Sequence, residues 1–339
     1  DGFGRDPCTF FFVTKARESI GLDRWESFVP ERTARMEINV GNEDQATKRF
    51  GIFGVPWDGG ASLGRPGSRY APAKVREALC WIGNRIQDQK IAAIEKQAVI
   101  NFKDVCVRDF GDVDISCSDF QQTFDRIGRK ARETLDRGFI PLVIGGDHSI
   151  TFPLIEELHR RCDGNIGLIQ LDAHLDLLED SARQGKFSHS SEIRRALELE
   201  RVHAKNLVQI GVRGFNYPGN WEFVRAERIT QFTPQHLRDG AVADVADRAL
   251  EIAGRGAERI YLTVDIDVID PAYAPGCGAN EPGGLTVAEV EALVDRFAPH
   301  VASFDVVEVN PLFDINDVTA SIAAKLLFDF IVSCAVAGK

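Results

Sequence analysis

The feature that most constrains the fold is a set of three short apolar runs that each end on aspartate or histidine. Their polar ends read Gly-Gly-Asp147-His148-Ser149, Asp172-Ala-His174-Leu-Asp176 and Asp265-Ile-Asp267-Val-Ile-Asp270-Pro271. Each apolar run has the length and composition of a buried strand. In a parallel sheet such strands end at the same edge, where ligands collect. Because these side chains are costly to bury without a cation, the pattern predicts a metal site at that edge.

The chemistry of the three motifs limits which metals fit. Histidine nitrogen combined with carboxylate oxygen suits Mn(II), Fe(II), Ni(II) or Zn(II). No cysteine occurs in the motifs, which argues against a structural zinc knot. A lone Asp-x-Asp is usually a turn or a solvated strand end, but three motifs after three apolar runs favour a site. Two histidines and at least four aspartates are too many for one catalytic ion, and they fit two ions that share carboxylates about 3.5–4 Å apart.

Strands alternate with helical segments along the chain, which predicts an α/β fold with a parallel sheet and helices on both faces. We expect a leader over residues 1–46, with a short helix near Glu18–Trp25, and a single domain over 47–339. Thr286 is expected to cap a helix over 287–297. Arg65 and Arg69 lie in a glycine-rich loop, where ion pairs that anchor the loop are favoured over contacts with a substrate.

Composition and charge exclude several classes of function. The net charge of −11 disfavours nucleic acid, whose binding needs a basic surface. We find no run of about 18 apolar residues that would span a membrane, and the first residues lack the basic region and cleavage site of a signal peptide. The seven cysteines are scattered without disulfide or zinc spacing, which is typical of a reduced, cytoplasmic protein.

Taken together, the three motifs resemble the metal-binding signatures of the ureohydrolase family, which comprises arginases, agmatinases, guanidinobutyrases, guanidinases and their relatives. The resemblance extends from about Phe50 to Ala335, and the segments Arg65-Pro-Gly67 and Glu281-Pro-Gly-Gly284 also match. It implies a three-layer α/β/α sandwich and a homo-trimer or hexamer, with room for a similar second subunit. The metal ligands that it implies are His148, Asp172, His174, Asp176, Asp265 and Asp267. These would hold two divalent ions, manganese first and nickel as the alternative.

A mechanism follows from the resemblance and the chemistry. A guanidinium carbon is poorly electrophilic, so its hydrolysis at neutral pH needs a metal-bridging hydroxide from a water whose pKa is lowered. Asp176 would bind metal and orient this nucleophile. His189 aligns with the family histidine that supplies a proton to the leaving amine. Glu308 aligns with the carboxylate that pairs with the planar guanidinium of the substrate.

Two departures from the family pattern bear on the substrate. Ser190-Ser191 replaces the Gly-Thr that commonly follows the histidine in agmatinase-like members, and Leu178 stands where arginases have an asparagine, which argues against L-arginine. These departures leave room for a small or unusual guanidine. From the resemblance, the expected reaction is cleavage of a small cationic guanidino compound, agmatine or an ω-guanidino acid, with release of urea and an amine.

Several alternatives stay open. The substrate could be free guanidine, an alkylated guanidine or a biguanide, or a formimino compound that releases formamide. The chain could instead be a non-catalytic subunit, although such a subunit would be expected to have lost metal ligands. A histone-deacetylase-like amidohydrolase would use a single zinc ion with a different ligand set.

Overall fold

The computed structural model describes residues 39–60 and 65–337. The strands are β1 Lys48–Gly54, β2 Lys90–Ala93, β3 Ala98–Asn101, β4 Val105–Asp112, β5 Ile140–Ile144, β6 Asn165–Leu171, β7 Val202–Ile210, β8 Thr230–Phe232, β9 Ala257–Asp265 and β10 Ser303–Val307. The α-helices are α1 Ala71–Gly83, α2 Phe120–Asp136, α3 Thr151–Arg161, α4 Glu192–Ala196, α5 Pro218–Glu227, α6 Pro234–Asp239, α7 Val242–Gly254, α8 Val287–Phe297 and α9 Val318–Ala337.

Eight of these strands form one sheet in the order β4-β1-β5-β10-β9-β6-β7-β8, and every neighbouring pair is parallel. The predicted α/β class with a mainly parallel sheet is therefore confirmed. The strands β5, β10, β9 and β6 are adjacent at the centre, although they come from distant parts of the chain. Their carboxyl ends lie next to one another at the middle of the sheet edge. A ligand bound there would have strand ends on both sides.

The two faces of the sheet carry separate hydrophobic layers. In β5, Leu142 and Ile144 join the layer that contains α1, α7, α8 and α9, whereas Val143 joins the layer that contains α2 and α3. This alternation is what a strand with both faces covered requires. The result is the predicted three-layer sandwich.

Helix α9 corrects one expectation. It is long and apolar enough to cross a membrane by length and composition, with a mean hydropathy of 1.8, whereas the sequence analysis found no such run. Lys325 and Asp329 interrupt the apolar residues, and these two side chains pair with each other at 2.6 Å. Most of the apolar stretch is buried against α1 and α8, so the hydropathy is explained by a core helix.

One predicted helix cap is confirmed, and one hairpin was not predicted. Thr286 caps α8 through a capping box with Glu289, and the helix covers the predicted residues. The antiparallel hairpin β2–β3 was not predicted. Of the predicted leader, residues 1–38 and the expected helix at Glu18–Trp25 lie outside the described residues, so the boundary at residue 46 stays a prediction.

Candidate metal centre

Four adjacent strand ends bring the predicted site residues together. His148 lies in a short 3-10 turn after β5, Asp172 follows β6, Asp265 ends β9, and Glu308 follows β10. The remaining predicted residues are supplied by the loops that follow these strands: Asp267, His174, Asp176 and His189. The shared edge of the parallel sheet therefore gathers into one region the six candidate ligands and also His189 and Glu308, which the family resemblance implied.

One half of the site surrounds the ring of His148, which is fully buried. Its Nδ1 lies 3.2 Å from Asp172 Oδ2, 3.0 Å from Asp176 Oδ2 and 3.3 Å from Asp265 Oδ2. This nitrogen has no hydrogen-bond partner of good geometry among the described residues. A nitrogen that faces three acceptors in a dry site needs a proton or a metal ion between them.

The other half of the site surrounds His174. Its Nδ1 lies 2.9 Å from Asp267 Oδ2 and 3.5 Å from Asp172 Oδ1. Asp172 therefore directs one oxygen toward each histidine. The carboxylate of Asp265 lies beside His148, while Asp267 lies beside His174.

The electrostatics of the cluster call for positive charge. Burial raises the pKa of Asp265 and of Asp267, and neighbouring carboxylates raise both further. Burial lowers the pKa of His148, but adjacent carboxylates outweigh this effect and raise it well above its ordinary value. The same balance raises the pKa of His174, where Asp267 and Asp172 overcome burial. A field that would hold protons on the buried imidazole of His148 and the half-buried imidazole of His174 would equally hold divalent cations, so these residues fit a metal centre.

A hydrogen-bonded network behind His148 sets the orientation of its ring. His148 Nε2 lies 2.9 Å from Thr263 Oγ1, and this hydroxyl donates to Asp305 Oδ1 at 2.5 Å. Asp305 also accepts from Tyr261 and from Thr151. Because the hydroxyl of Thr263 donates to a carboxylate, it accepts from Nε2–H. In the neutral ring the lone pair of His148 is then on Nδ1, which faces the cluster, and partners of this kind impose the same tautomer on metal-ligating histidines.

His189 and Glu308 form a separate pair at the side of the cluster. His189 Nδ1 lies 3.1 Å from Glu308 Oε1, which also accepts from the backbone N–H of His148 at 2.9 Å. Burial lowers the pKa of His189, but the hydrogen bond and charge of Glu308 outweigh burial and raise it to about 9. Burial by itself raises the pKa of Glu308. The hydrogen bond and charge of His189 outweigh burial, so the pKa of Glu308 is lowered overall. At neutral pH the pair is an imidazolium beside a carboxylate.

Backbone conformation at the site is unusual at two of the predicted residues. Asp176 has a φ of 50° and Glu308 a φ of 64°, a left-handed region that costs a non-glycine residue about 1–3 kcal/mol. The neighbouring turn also depends on a close backbone approach, since a Cβ on Gly146 would lie 1.6 Å from the carbonyl oxygen of Trp57. Strain of this kind is characteristic of residues held in place for function.

Arg69 and Arg213 anchor the loops that surround the site. Arg69 donates from Nε to Asp58 at 2.6 Å, and Asp58 also accepts from the backbone of Gly67, which confirms the loop-anchoring interpretation for Arg69. Arg65 instead lines the cavity at the site and stacks on Phe313. Arg213, which the sequence analysis did not single out, donates to carbonyl oxygens of Asp267 and Glu281. This explains how the segment Glu281-Pro-Gly-Gly284 is tied to the β9 loop.

Two cavities open onto the cluster. The inner one has a volume of about 200 Å³, and its lining includes His189, Glu308, Asp176 and Arg65. The outer one, of about 370 Å³, is lined by His174, Leu175, Asp176, Leu178, Ser190, Phe215, Asn216, Tyr217 and Asn220. The two cavities share three residues, so a small charged group at the inner cavity could continue into the outer one.

Two further residues reach the cluster and were missed in the sequence analysis. The carboxylate of Glu192 groups with His148 and Asp176, and the thiol of Cys277 groups with Asp265 and Asp267. Both are buried. Glu192 resembles an exposed residue at a helix start, and Cys277 lies in a glycine-rich loop, so no local signal indicates either position.

The fold and the site define a class: an α/β enzyme in which candidate metal ligands converge at the carboxyl edge of a parallel sheet. The profile of the arginase family matches residues 48–333, and the chain belongs to this family.

Similar proteins agree with this assignment. The mitochondrial guanidino acid hydrolase of Homo sapiens is 33% identical over 83% of this chain and 76% of its own length. The guanidinopropionase of Pseudomonas aeruginosa is 32% identical over 85% of this chain and 87% of its own length. Among solved structures, formimidoylglutamase from Bacillus subtilis matches with a TM-score of 0.76 and 27% identity, over 87% of this chain and 90% of that one. The chain is thus a hydrolase that acts on C–N bonds of linear amidines.

Proposed function

We propose that this protein hydrolyses a small guanidino compound that carries a tail, agmatine or an ω-guanidino acid, and releases urea and an amine. It would do so with two divalent ions, Mn(II) first and Ni(II) as the alternative. The observation that carries the proposal is the arrangement of two histidine nitrogens, one buried on His148 and one half-buried on His174, around carboxylates, with Asp172 directed toward both. The residues that would hold the ions are His148, Asp172, His174, Asp176, Asp265 and Asp267.

When bound, the two ions would supply Lewis acidity and lower the pKa of a coordinated water toward neutrality. The protein residues then have three tasks. Asp176 lines the inner cavity and orients the nucleophile. Glu308 receives two hydrogen bonds on Oε1, which leaves Oε2 for the planar cation of the substrate. The burial of this carboxylate strengthens its pairing with a guanidinium.

His189 would deliver the proton that the leaving amine requires. Its Nδ1 proton is held on Glu308 Oε1, so Nε2 carries the proton available for transfer. The raised pKa of about 9 keeps the ring protonated at neutral pH, which suits a general acid. Neutral amine leaves once it receives this proton.

The cavities favour a substrate with a tail. The inner cavity holds Glu308 and His189, and the outer cavity adds Leu178, Phe215 and Asn216, which offer apolar and amide contacts. The similar enzymes named above include a guanidino acid hydrolase and a guanidinopropionase, whose names specify substrates with a tail. Arg65 in the inner cavity is a cation that would favour an acidic tail over the second amine of agmatine.

We further propose that the chain works as a homo-trimer or hexamer in the cytoplasm. The six cysteines in the described part of the chain are free thiols, which supports a reducing compartment.

The experiment that tests the function is urea release from a matched panel: agmatine, 4-guanidinobutyrate, 3-guanidinopropionate, guanidine, methylguanidine and L-arginine. Protein is loaded separately with Mn(II) and Ni(II), and chelated protein serves as the control. We expect turnover of a compound with a tail, lost on chelation and in His174→Ala. Turnover restricted to guanidine or methylguanidine would replace the tailed substrate by the small-guanidine alternative. Activity that survives in His174→Ala would refute the site assignment.

A further inference from the structure

Glu192 is a buried acid at the metal centre that the mechanism above does not use. It is the first residue of α4 and is 1% exposed. Its Oε1 lies 3.7 Å from His148 Nδ1, and a triad of ligand atoms from Glu192, His148 and Asp176 falls within 4.8 Å of one another. Donors 2.0–2.2 Å from one ion would be separated by about this much or less.

The carboxylate of Glu192 is not satisfied by hydrogen bonds from the residues that the structure describes around it. Neither oxygen receives a hydrogen bond within the described part of the chain. The two arginines that follow it are engaged elsewhere: Arg194 lies over the ring of Phe223, and Arg195 donates to the backbone and pairs with Glu198. The nearest cationic group among the described residues is the ring of His148 at 3.7 Å, and His148 lies closer to three aspartates than to Glu192. A buried carboxylate that accepts no hydrogen bond and faces a second carboxylate is expensive. A cation between them would resolve both problems.

Glu192 reaches the cluster from the protein interior. The inner cavity is lined by Asp176, Asp265 and Glu308, but Glu192 is absent from its described lining. A contact with the substrate therefore does not account for this acid. Its position behind Asp176 and beside His148 leaves the ion on that side as its partner.

We propose that Glu192 is a seventh protein ligand, which binds the ion held by His148 and Asp176. This inference rests on the proposed dinuclear centre. The ion beside His148 would then face four carboxylates, those of Asp172, Asp176, Asp265 and Glu192. The ion beside His174 would face two, those of Asp172 and Asp267. The two ions consequently bind with unequal affinity, and the one beside His148 is the tighter.

The test measures metal binding rather than turnover. Mn(II) binding to the wild type and to Glu192→Gln is measured by competition with a fluorescent chelator, and ion content after graded dialysis is measured by mass spectrometry. Glu200→Gln is the matched control, since Glu200 lies nearby in sequence with a side chain that is 87% exposed. We expect two ions in the wild type and in the control. In Glu192→Gln, the affinity for one ion should fall by at least about 10-fold, with the other unchanged.

Thermal unfolding separates coordination from a packing role. Glu192→Gln removes a buried negative charge, so the metal-free variant should unfold at the same temperature as metal-free wild type or at a higher one. With metal, it should unfold at a lower temperature than metal-loaded wild type. Glu192→Asp keeps the charge on a shorter side chain and should give an intermediate affinity. If the amide variant fails to fold, an aspartate variant with wild-type affinity for both ions overturns the inference.

Failure of the role proposed for Glu192 can be distinguished from failure of the proposed function. A wild type that binds two ions, together with a folded Glu192→Gln that binds both with unchanged affinity, overturns the role of Glu192 and leaves the proposed function standing. A wild type that binds no ion refutes the dinuclear centre and this inference together.

Discussion

The pairing of Glu308 with His189 gives a prediction whose size can be worked out from the structure. Glu308→Gln keeps the volume of the side chain and an oxygen that can accept from the backbone of His148, as Oε1 does at 2.9 Å. It removes the negative charge that lies 3.1 Å from His189 Nδ1. Burial of the ring, which by itself lowers the pKa of His189, is unchanged.

The magnitude follows from the pKa of His189. In the wild type the pKa of His189 is raised from 6.5 to about 9. This difference in pKa corresponds to roughly 3 kcal/mol of stabilisation of the protonated ring relative to the neutral ring. Without the charge of Glu308, burial still lowers the pKa of His189, while Asp147 and Asp176 still raise it, so the pKa should fall toward 6.5. Because the folded-state pKa is raised, the pair stabilises the metal-free protein fully below pH 6.5, and this stabilisation is lost as the pH rises through about 9.

The assay follows the imidazole C–H resonances of the metal-free protein by NMR between pH 5.5 and 10, with His189→Asn used to assign the signal. Urea unfolding at pH 6 and at pH 9.5 measures the free energy of unfolding. Glu308→Gln should lose up to roughly 3 kcal/mol at pH 6 and much less at pH 9.5. The control Glu251→Gln changes a carboxylate that is 70% exposed in its pair with Arg255 and should behave as wild type. An unchanged pKa of His189 in Glu308→Gln would refute the reasoning.

Two further predictions concern the scaffold around the site. Asp58→Asn removes the negative charge that accepts hydrogen bonds from Gly67 N–H and Arg69. We expect the free energy of unfolding, measured in urea, to fall by about 1.5–3 kcal/mol, and proteolysis at this loop to become faster. Unchanged proteolysis would contradict an anchoring role. Phe304→Ala deletes a fully buried ring stacked at 5.0 Å on a second phenylalanine and should lower the free energy of unfolding by about 3–5 kcal/mol. The folded fraction of this variant should still bind metal as wild type does, because Phe304 packs against Phe330 of α9, whereas the cluster lies at the carboxyl edge of the sheet. Loss of metal from folded protein would contradict this reasoning.

Part of the site was predictable because its signals are local. An apolar run that ends on Asp172-Ala-His174 or Asp265-Ile-Asp267 predicts a buried strand and a polar strand end, and parallel strands share one edge. The same holds for the cap of α8, where Thr286 and Glu289 form a capping box within one turn. The roles of His189 and Glu308 came from a family resemblance, and the structure places the two side chains in contact.

Other parts had no local signal. The carboxylate of Glu192 follows two serines and precedes two arginines, which is the composition of a solvated helix start, and only the packing of α4 against the turn after β5 brings it to His148. Cys277 is the same case, because its thiol reaches Asp265 and Asp267 through a loop whose path no periodicity predicts. Helix α9 was missed as a continuous apolar span because Lys325 and Asp329 break the run.

By itself, the sequence determined which strands are buried, that they are parallel, and that carboxylates and histidines end them, since hydrophobic periodicity and polar strand ends act over a few residues. Only the tertiary structure decided which strand ends are neighbours. The order β5-β10-β9-β6 sets His148 beside Asp265, directs Asp172 toward two histidines, and adds Glu192 behind them. These contacts join residues far apart in the chain, and they depend on how the helices pack the sheet, which no short stretch of sequence encodes.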